Sequence, residues 1–587
     1  MAYLLGLDYG TLSARGILLD IGTGKIAGEE VFEYPHGVIE DSRAFSRAAT
    51  QAPGEGDQSA ALEEELRLQA PSEGDQSAAL EEELRLQAPE DYLQALQIIP
   101  RRLMEHTGIP KEEILAVGVD VTASTLLPVD QNWQPLSFDS AFRNRPHAWC
   151  KLWKSHSAQD EADHITGVLN ENSDLLDYYG GKVSSEWTVP KMLETLRKDP
   201  EIYRTADAFI EAGDWICYLL GGVKAVSACG AGYKAFWMKP DEARIQKGLQ
   251  DPSGYPSKKL LTAIDPAFED LLQTKLSYPV LPLGTVCGHV GPSAARLTGL
   301  MEGTAVCPYI VDAHAALPGS GLSGVGELLL ILGTSACSVI CSDKYLPVQG
   351  ICGSVYGGIL TGLYGYEAGQ PSVGDMFAWF AGSLCGKTLE EEAKRLGESI
   401  HTVLCRKAER IKPGQSGLMA LDWWSGNRSI LDDSNLRGCI FGLSQQTKPE
   451  EIYRALLEAA AYGLRTIAEN YERFGIEIKS ITASGTVATK NPLFMQILSD
   501  VMNRDITVSG QPQPSAMGAA LQGARALGLT VKKAEEQRIV YHPDEQASEI
   551  YARLYRLYHE LYELMGRREA GILHELGAIS KETGRLS

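Results

Sequence analysis

The sequence predicts an α/β protein of two successive units, each opened by a β-hairpin, and three observations carry that reading. The stretch "LLGLDYGTLSARGILLD", from Leu4 to Asp20, sets two apolar runs on either side of a polar turn. A second stretch, "ELLLILGTSACSVICS", from Glu327 to Ser342, repeats the order strand, Gly-Thr-Ser, strand. After each hairpin the hydrophobic period alternates between that of strands and that of helices.

The elements follow in order. "GKIAGEEVFEY" reads as a third strand, "EDYLQALQIIPRRLMEHTG" as a helix, and "EILAVGVDVTAS" as a buried strand ending in polar residues. The stretch from about 140 to 285 is rich in Trp, Tyr and His and reads as largely helical. The second unit begins near Gly303 with "GTAVCPYIVDAHA". It continues through its hairpin and "GICGSVYGGILTGLYGYEAGQ" to the long helix "PEEIYRALLEAAAYGLRTIAENYERFG" and the strand "IKSITASG". Helix "NPLFMQILSDVMN", strand "DITVS" and helix "SAMGAALQGARALG" come next, and residues 545–578 read as one amphipathic helix. The expected division is 1–285, 286–545 and a helical extension 546–587.

One segment breaks the pattern. "EGDQSAALEEELRLQAP" occurs at 55–71 and again at 73–89. Leu62 and Leu66, then Leu80 and Leu84, stand four apart, which gives each copy a thin apolar stripe on a short helix. Two copies are too few for a solenoid. The segment 53–89 therefore reads as a duplicated, acidic, solvent-facing insertion with Pro71 and Pro89 stopping its helices.

Composition excludes whole classes of function. Among 587 residues, 76 acidic against 54 basic side chains leave a net charge of −22. That balance excludes nucleic acid or an anionic membrane as partner. No uncharged apolar run is long enough to span a bilayer, and "MAYLLGLDYG" lacks the basic start of a signal peptide. Eleven cysteines without a C-x-x-C pair fit reduced thiols in a cytoplasm.

The polar turns carry the chemistry. Around Gly10 the first turn gathers a carboxylate (Asp8), two hydroxyls (Thr11, Ser13) and a cation (Arg15). The second offers Gly333 and Thr334. Glycine lets backbone N–H groups approach phosphate oxygens, and hydroxyls donate to them, so one such turn per unit suits a polyphosphate held between them. Either turn alone reads as ordinary turn chemistry; their recurrence does not. In "SITASGTVATKNPLFMQ" a strand ends at Gly485 and a helix opens near Asn491, a usual place for a nucleotide base or ribose. In "YIVDAHA" Asp312 ends an apolar strand, where a carboxylate can act as general base toward a hydroxyl. His314, two residues on, reads as structural.

Together with "GYEAGQPSVGDMFAWF", "LDWWSGNRS", "PHAWCKLWKSHSAQDEAD", "SSEWTVPK" and "AGYKAFW", these motifs resemble the FGGY family of carbohydrate kinases over nearly the whole chain except about 43–86. The resemblance implies the duplicated ribonuclease-H-like fold of sugar kinases and actin, with ATP in the interdomain cleft. It implies that Asp8 faces Mg²⁺ through water while Gly10, Thr11, Ser13 and Arg15 surround the terminal phosphates. Gly333 and Thr334 would hold phosphate from the opposite wall, and Gly485, Thr486 and Lys490 would border the adenosine. Asp312 matches the catalytic base, and Ala123, Lys234 and Glu367 match positions that contact the sugar. Thr486 replaces a second glycine usual in the family, so its Cβ is expected to crowd the nucleotide or demand an unfavourable φ. The activity implied is ATP-dependent phosphorylation of L-ribulose to its 5-phosphate in arabinose use, by a cytoplasmic protein able to form a homodimer. The rivals are another kinase of the family, for xylulose, ribitol or glycerol, and an ATP-driven binding protein of the actin or chaperone kind.

Overall fold

The protein is described here as a computed structural model, which describes residues 1–50, 80–81 and 83–583. Each predicted hairpin lies inside a seven-stranded sheet. In the first sheet, strand Tyr3–Tyr9 runs antiparallel to Ser13–Asp20, which pairs in turn with Ile26–Glu33. On its other side Tyr3–Tyr9 runs parallel to Ile114–Val121. The second sheet repeats the plan: Glu327–Leu332 is antiparallel to Ala336–Ser342 and parallel to Ser480–Ser484. Strands Tyr3–Tyr9 and Ile114–Val121 are almost entirely buried, as near-continuous apolar runs demand when both faces are covered. Among the described residues, no helix is long and apolar enough to cross a membrane.

The chain does not pass cleanly from one sheet to the other. Gly288–His289, Ala305–Val306 and Ile310–Val311 all belong to the first sheet, so it draws strands from beyond residue 285. Helix Pro514–Ala526, late in the chain, also packs on the first sheet. A Cβ on Gly6 would lie 2.0 Å from the Ala516 carbonyl oxygen, and one on Gly118 1.8 Å from that of Ala519. Glycine is needed at both places because helix backbone touches strand backbone there. The same helix packs against Asp312–Gly319, the helix opened by the expected base, and so ties both halves to the floor of the site.

Two sequence expectations change. The second repeat copy is not a solvent-facing helix where it is described. Leu84, Leu86 and Ala88 are fully buried beside Phe45 and Trp149. Leu86–Gln87 is a strand pairing with Cys150–Lys151, and Pro89 opens helix Pro89–Thr107 instead of stopping one. Residues alternating at period two reach one side of a strand, so burial of Leu84, Leu86 and Ala88 outweighs the four-apart leucine spacing. Proline suits a first helical position, where its missing N–H has no partner to lose. The first copy, 55–71, lies outside the described residues. The terminal helix is interrupted: Glu545–Glu563 passes through a π turn, Leu564–Arg568, into Ala570–Glu582. Its stripe of Tyr551, Tyr555, Tyr558 and Tyr562 belongs to the core of the second unit.

Candidate active site

The first hairpin is held from several directions. The Gly10 N–H donates to the Ser13 carbonyl at 3.0 Å and closes the turn. The Thr11 carbonyl accepts from Gln87 Nε2 at 2.5 Å, and Thr11 Oγ1 accepts from Trp153 Nε1 at 3.2 Å. Gln87 comes from the second repeat copy, so the segment read as an insertion supports the first polar turn.

Three carboxylates meet where strands of the first sheet end. Asp8 and Asp120 are register partners on parallel strands, and Ile310, two residues before Asp312, pairs with Asp120. Asp8 is buried and has Arg15 Nη1 at 3.3 Å. Burial raises its carboxyl above the ordinary range although Arg15 opposes the rise. Asp120 is fully buried, and burial together with the adjacent Asp8 pushes its carboxyl well up. Asp312 opens its helix, its Oδ1 accepting the Ala313 N–H at 2.7 Å. Burial and the Asp8 charge push its carboxyl up to about 7. Buried neighbouring carboxylates suit a hard divalent cation, which relieves their repulsion and takes oxygen ligands. Among the described residues no three His, Cys, Asp or Glu side chains already form a closed metal cage.

Lys234 ends helix Ala228–Lys234 and Glu367 lies in strand Tyr364–Gln370. Lys234 Nζ is 3.5 Å from Glu367 Oε2. Burial works against both charges, yet each holds the other ionised: the Lys234 ammonium is raised by Glu367, and the Glu367 carboxyl is held low by Lys234 and His314. Ala123 sits in the turn after Ile114–Val121, next to Ser124, whose φ is +56°. Lys191 Nζ donates to the Ser124 carbonyl at 2.7 Å, and the Thr125 N–H donates to Glu211 Oε2 at 2.8 Å, so that turn is pinned.

The second turn is held by backbone. The Gly333 N–H donates to the Ser335 carbonyl at 2.9 Å, and the Thr334 carbonyl accepts from Val373 at 2.8 Å and Asp375 at 3.1 Å. Among the described residues a Cβ on Gly333 would meet nothing closer than the Ser335 carbonyl oxygen at 3.8 Å, so the fold itself does not require glycine there. Gly485 differs: its φ is +93°, and a Cβ would lie 2.5 Å from the Leu332 carbonyl oxygen. The helix expected near Asn491 opens there, at Pro492, and a further short helix precedes it. Thr486–Lys490 is a short helix capped by Gly485, and Pro492–Met502 follows with Asn491 Oδ1 accepting the Phe494 N–H. Thr486 is therefore helical and exposed, with no left-handed φ, which corrects the expectation of backbone strain. Lys490 is exposed at the end of the same short helix.

Sequence reasoning missed Asp120, Trp153, Gln87 and the pair Arg428–Glu186. Arg428 Nη2 is 2.8 Å from Glu186 Oε1, and its guanidinium lies 5.7 Å from the Trp153 ring centre. This pair joins residues distant in sequence, one from each half of the chain. Asp120 had a visible signal: a carboxylate inside the apolar strand "AVGVDV" is costly unless it serves a site.

A polar turn beside carboxylates, a second turn held by backbone alone and a buried ammonium–carboxylate pair are groups suited to a phosphotransferase acting on a polyhydroxylated substrate. Comparison with known proteins makes the class specific. Residues 328–527 match the C-terminal domain of the FGGY family of carbohydrate kinases. The chain is 38% identical to the ribulokinase of Geobacillus thermodenitrificans (strain NG80-2), covering all of this chain and 98% of that protein. It is 34% identical to the ribulokinase of Staphylococcus aureus (strain Newman), covering 99% of this chain and all of the other. The chain belongs to the FGGY family of carbohydrate kinases. Its fold is that of the xylulose kinase from Rhodospirillum rubrum (TM-score 0.71, 21% identity, 97% of this chain and 100% of that one). The gluconate kinase from Lactobacillus acidophilus shares it too (TM-score 0.73, 18% identity, 96% and 98%).

Proposed function

We propose that the protein transfers the γ-phosphoryl group of ATP to the 5-hydroxyl of L-ribulose, giving L-ribulose 5-phosphate and ADP. The observation that carries this reading is Asp312: a carboxyl poised near neutrality, between the Asp8 turn and the Lys234–Glu367 pair. Full-length likeness to ribulokinases supports the choice of sugar.

In this reading Lys234 donates to the ketose carbonyl or a hydroxyl, Glu367 accepts from sugar hydroxyls, and the Ala123 turn offers backbone. Asp312 accepts the proton of the attacking hydroxyl as its oxygen bonds to the γ-phosphorus. The bond from that phosphorus to the bridging oxygen breaks, and ADP leaves with the electron pair. Thr11, Ser13 and Arg15 hold the terminal phosphates from one side, Gly333 and Thr334 from the other, with Gly485, Thr486 and Lys490 beside the adenosine. Asp8, acting through water, would hold Mg²⁺, which neutralises phosphate charge in the transition state. The reaction would run in the cytoplasm, where the eleven unpaired cysteines would stay reduced. A coupled assay of ADP release over L-ribulose, D-xylulose, ribitol and glycerol tests the reading. The expected result is the highest kcat/KM on L-ribulose with a phosphorylated product. Preference for glycerol, or ATP hydrolysis without a phosphosugar, would overturn it.

A further inference from the structure

The Lys234–Glu367 pair does not stand alone. His314, fully buried, has Nε2 3.2 Å from Glu367 Oε2 and Nδ1 3.3 Å from Cys229 Sγ. The direction of these bonds follows from what each partner can offer. The Val311 N–H donates to Cys229 Sγ at 3.5 Å, which leaves the thiol proton for His314 Nδ1. The ring proton then sits on Nε2 and is donated to the carboxylate. Burial holds the imidazole below its ordinary range, consistent with a neutral ring in this role. Tyr233 covers the ring at a centroid distance of 4.2 Å, and its hydroxyl donates to the Gly365 carbonyl at 2.7 Å, two residues before Glu367.

We infer that His314 is a positioning residue for ketose binding. It holds Glu367 by Oε2 and leaves Oε1, which among the described residues has only the Cys337 thiol at 4.0 Å, to accept from a sugar hydroxyl. His314 also shares helix Asp312–Gly319 with the base. One rigid element thus sets the proton-accepting carboxylate directly and the sugar-holding carboxylate through an imidazole. A misplacement of the substrate hydroxyl relative to Asp312 would be costly, which is what such an arrangement prevents.

This inference rests on the reading of Glu367 as a sugar ligand, and the test separates the two. KM values for L-ribulose and ATP are measured for His314→Leu, His314→Gln, Glu367→Gln and the double variant His314→Leu/Glu367→Gln. His314→Leu is expected to raise the L-ribulose KM by about tenfold or more while the ATP KM stays within about twofold. His314→Gln, which keeps an N–H donor, should recover most of the loss. The double variant should be no worse than Glu367→Gln alone, because the histidine acts only through that carboxylate. Multiplying effects in the double variant, or an unchanged L-ribulose KM in a folded His314→Leu, would overturn the inference. An unchanged L-ribulose KM in Glu367→Gln would overturn the sugar-site reading and the inference with it. Should His314→Leu fail to fold, the ¹⁵N spectrum of the histidine-labelled wild-type protein decides: an Nε2–H tautomer supports the inference and an Nδ1–H tautomer defeats it.

Discussion

The two hairpins share one backbone plan and opposite chemistry. The first turn is crowded with side chains: Asp8 against Arg15, Thr11 against Trp153, and Asp120 and Asp312 close by. The second is almost bare, Gly333 and Thr334 tied to the chain by backbone hydrogen bonds. A transferring phosphoryl group needs both kinds of wall. In the proposed reading the crowded turn meets the terminal phosphates with side chains, and the second turn meets phosphate mainly with backbone. The two sheets thus repeat one strand plan, and in the proposed reading their turns take different parts of one task.

Removing the proton acceptor from the crowded wall should have the largest effect. Asp312→Asn is expected to lower kcat by about 10²–10⁴ with L-ribulose binding largely kept, measured by steady-state kinetics and sugar titration. Turnover near that of wild type would move the base elsewhere. On the bare wall, Gly333→Val adds bulk that meets no atom of the described residues within 3.8 Å at Cβ, so thermal stability should hold. The ATP KM should nonetheless rise by roughly 10–100-fold if nucleotide occupies that space. An unchanged ATP KM would show that the bare turn is not a phosphate wall.

The crowded wall should also betray itself through pH. With Asp312 titrating at about 7, kcat/KM for the sugar should fall about tenfold per unit below that pH and level off above it, a limb absent from Asp312→Asn. Stability should run the other way. A carboxyl raised in the folded state leaves the protein more stable where it is protonated, and that advantage is lost as pH rises from about 4 to about 7. Asp312→Asn should therefore raise Tm at pH 8 and leave it nearly unchanged at pH 4, as calorimetry can check. The smallest effect is expected at Thr486→Gly. Thr486 is helical and exposed, so the ATP KM should stay within about twofold; a marked tightening would show that its Cβ crowds the base after all.

How much of this the sequence reveals depends on whether the signal is local. The hairpins, their turn residues and Asp312 are legible because strand, turn and strand lie within some twenty residues of one another. The Lys234–Glu367 pair became visible only through family resemblance, since an isolated "GYKAF" says nothing about a carboxylate in another half of the chain. Gln87, Trp153 and Arg428–Glu186 act across long separations, and no pattern within their own segments points to Thr11 or to each other. The misread repeat has a related cause. Leucines four apart and leucines two apart coexist in "LEEELRLQA", and only the core around Trp149 decides which spacing is used.

That short strand has a genetic consequence. The segment Leu84–Ala88 that fills the core and presents Gln87 to the Thr11 carbonyl is written twice, because 73–89 repeats 55–71 residue for residue. Deleting 54–71 or deleting 72–89 yields chains that differ at one position, where Ser72 or Gly54 remains. Either excision leaves a complete copy immediately before Glu90, where the strand is needed. A lesion confined to one copy, Leu86→Asp for instance, is therefore of a kind that an in-frame loss of eighteen residues can erase, restoring the wild-type strand without any back mutation.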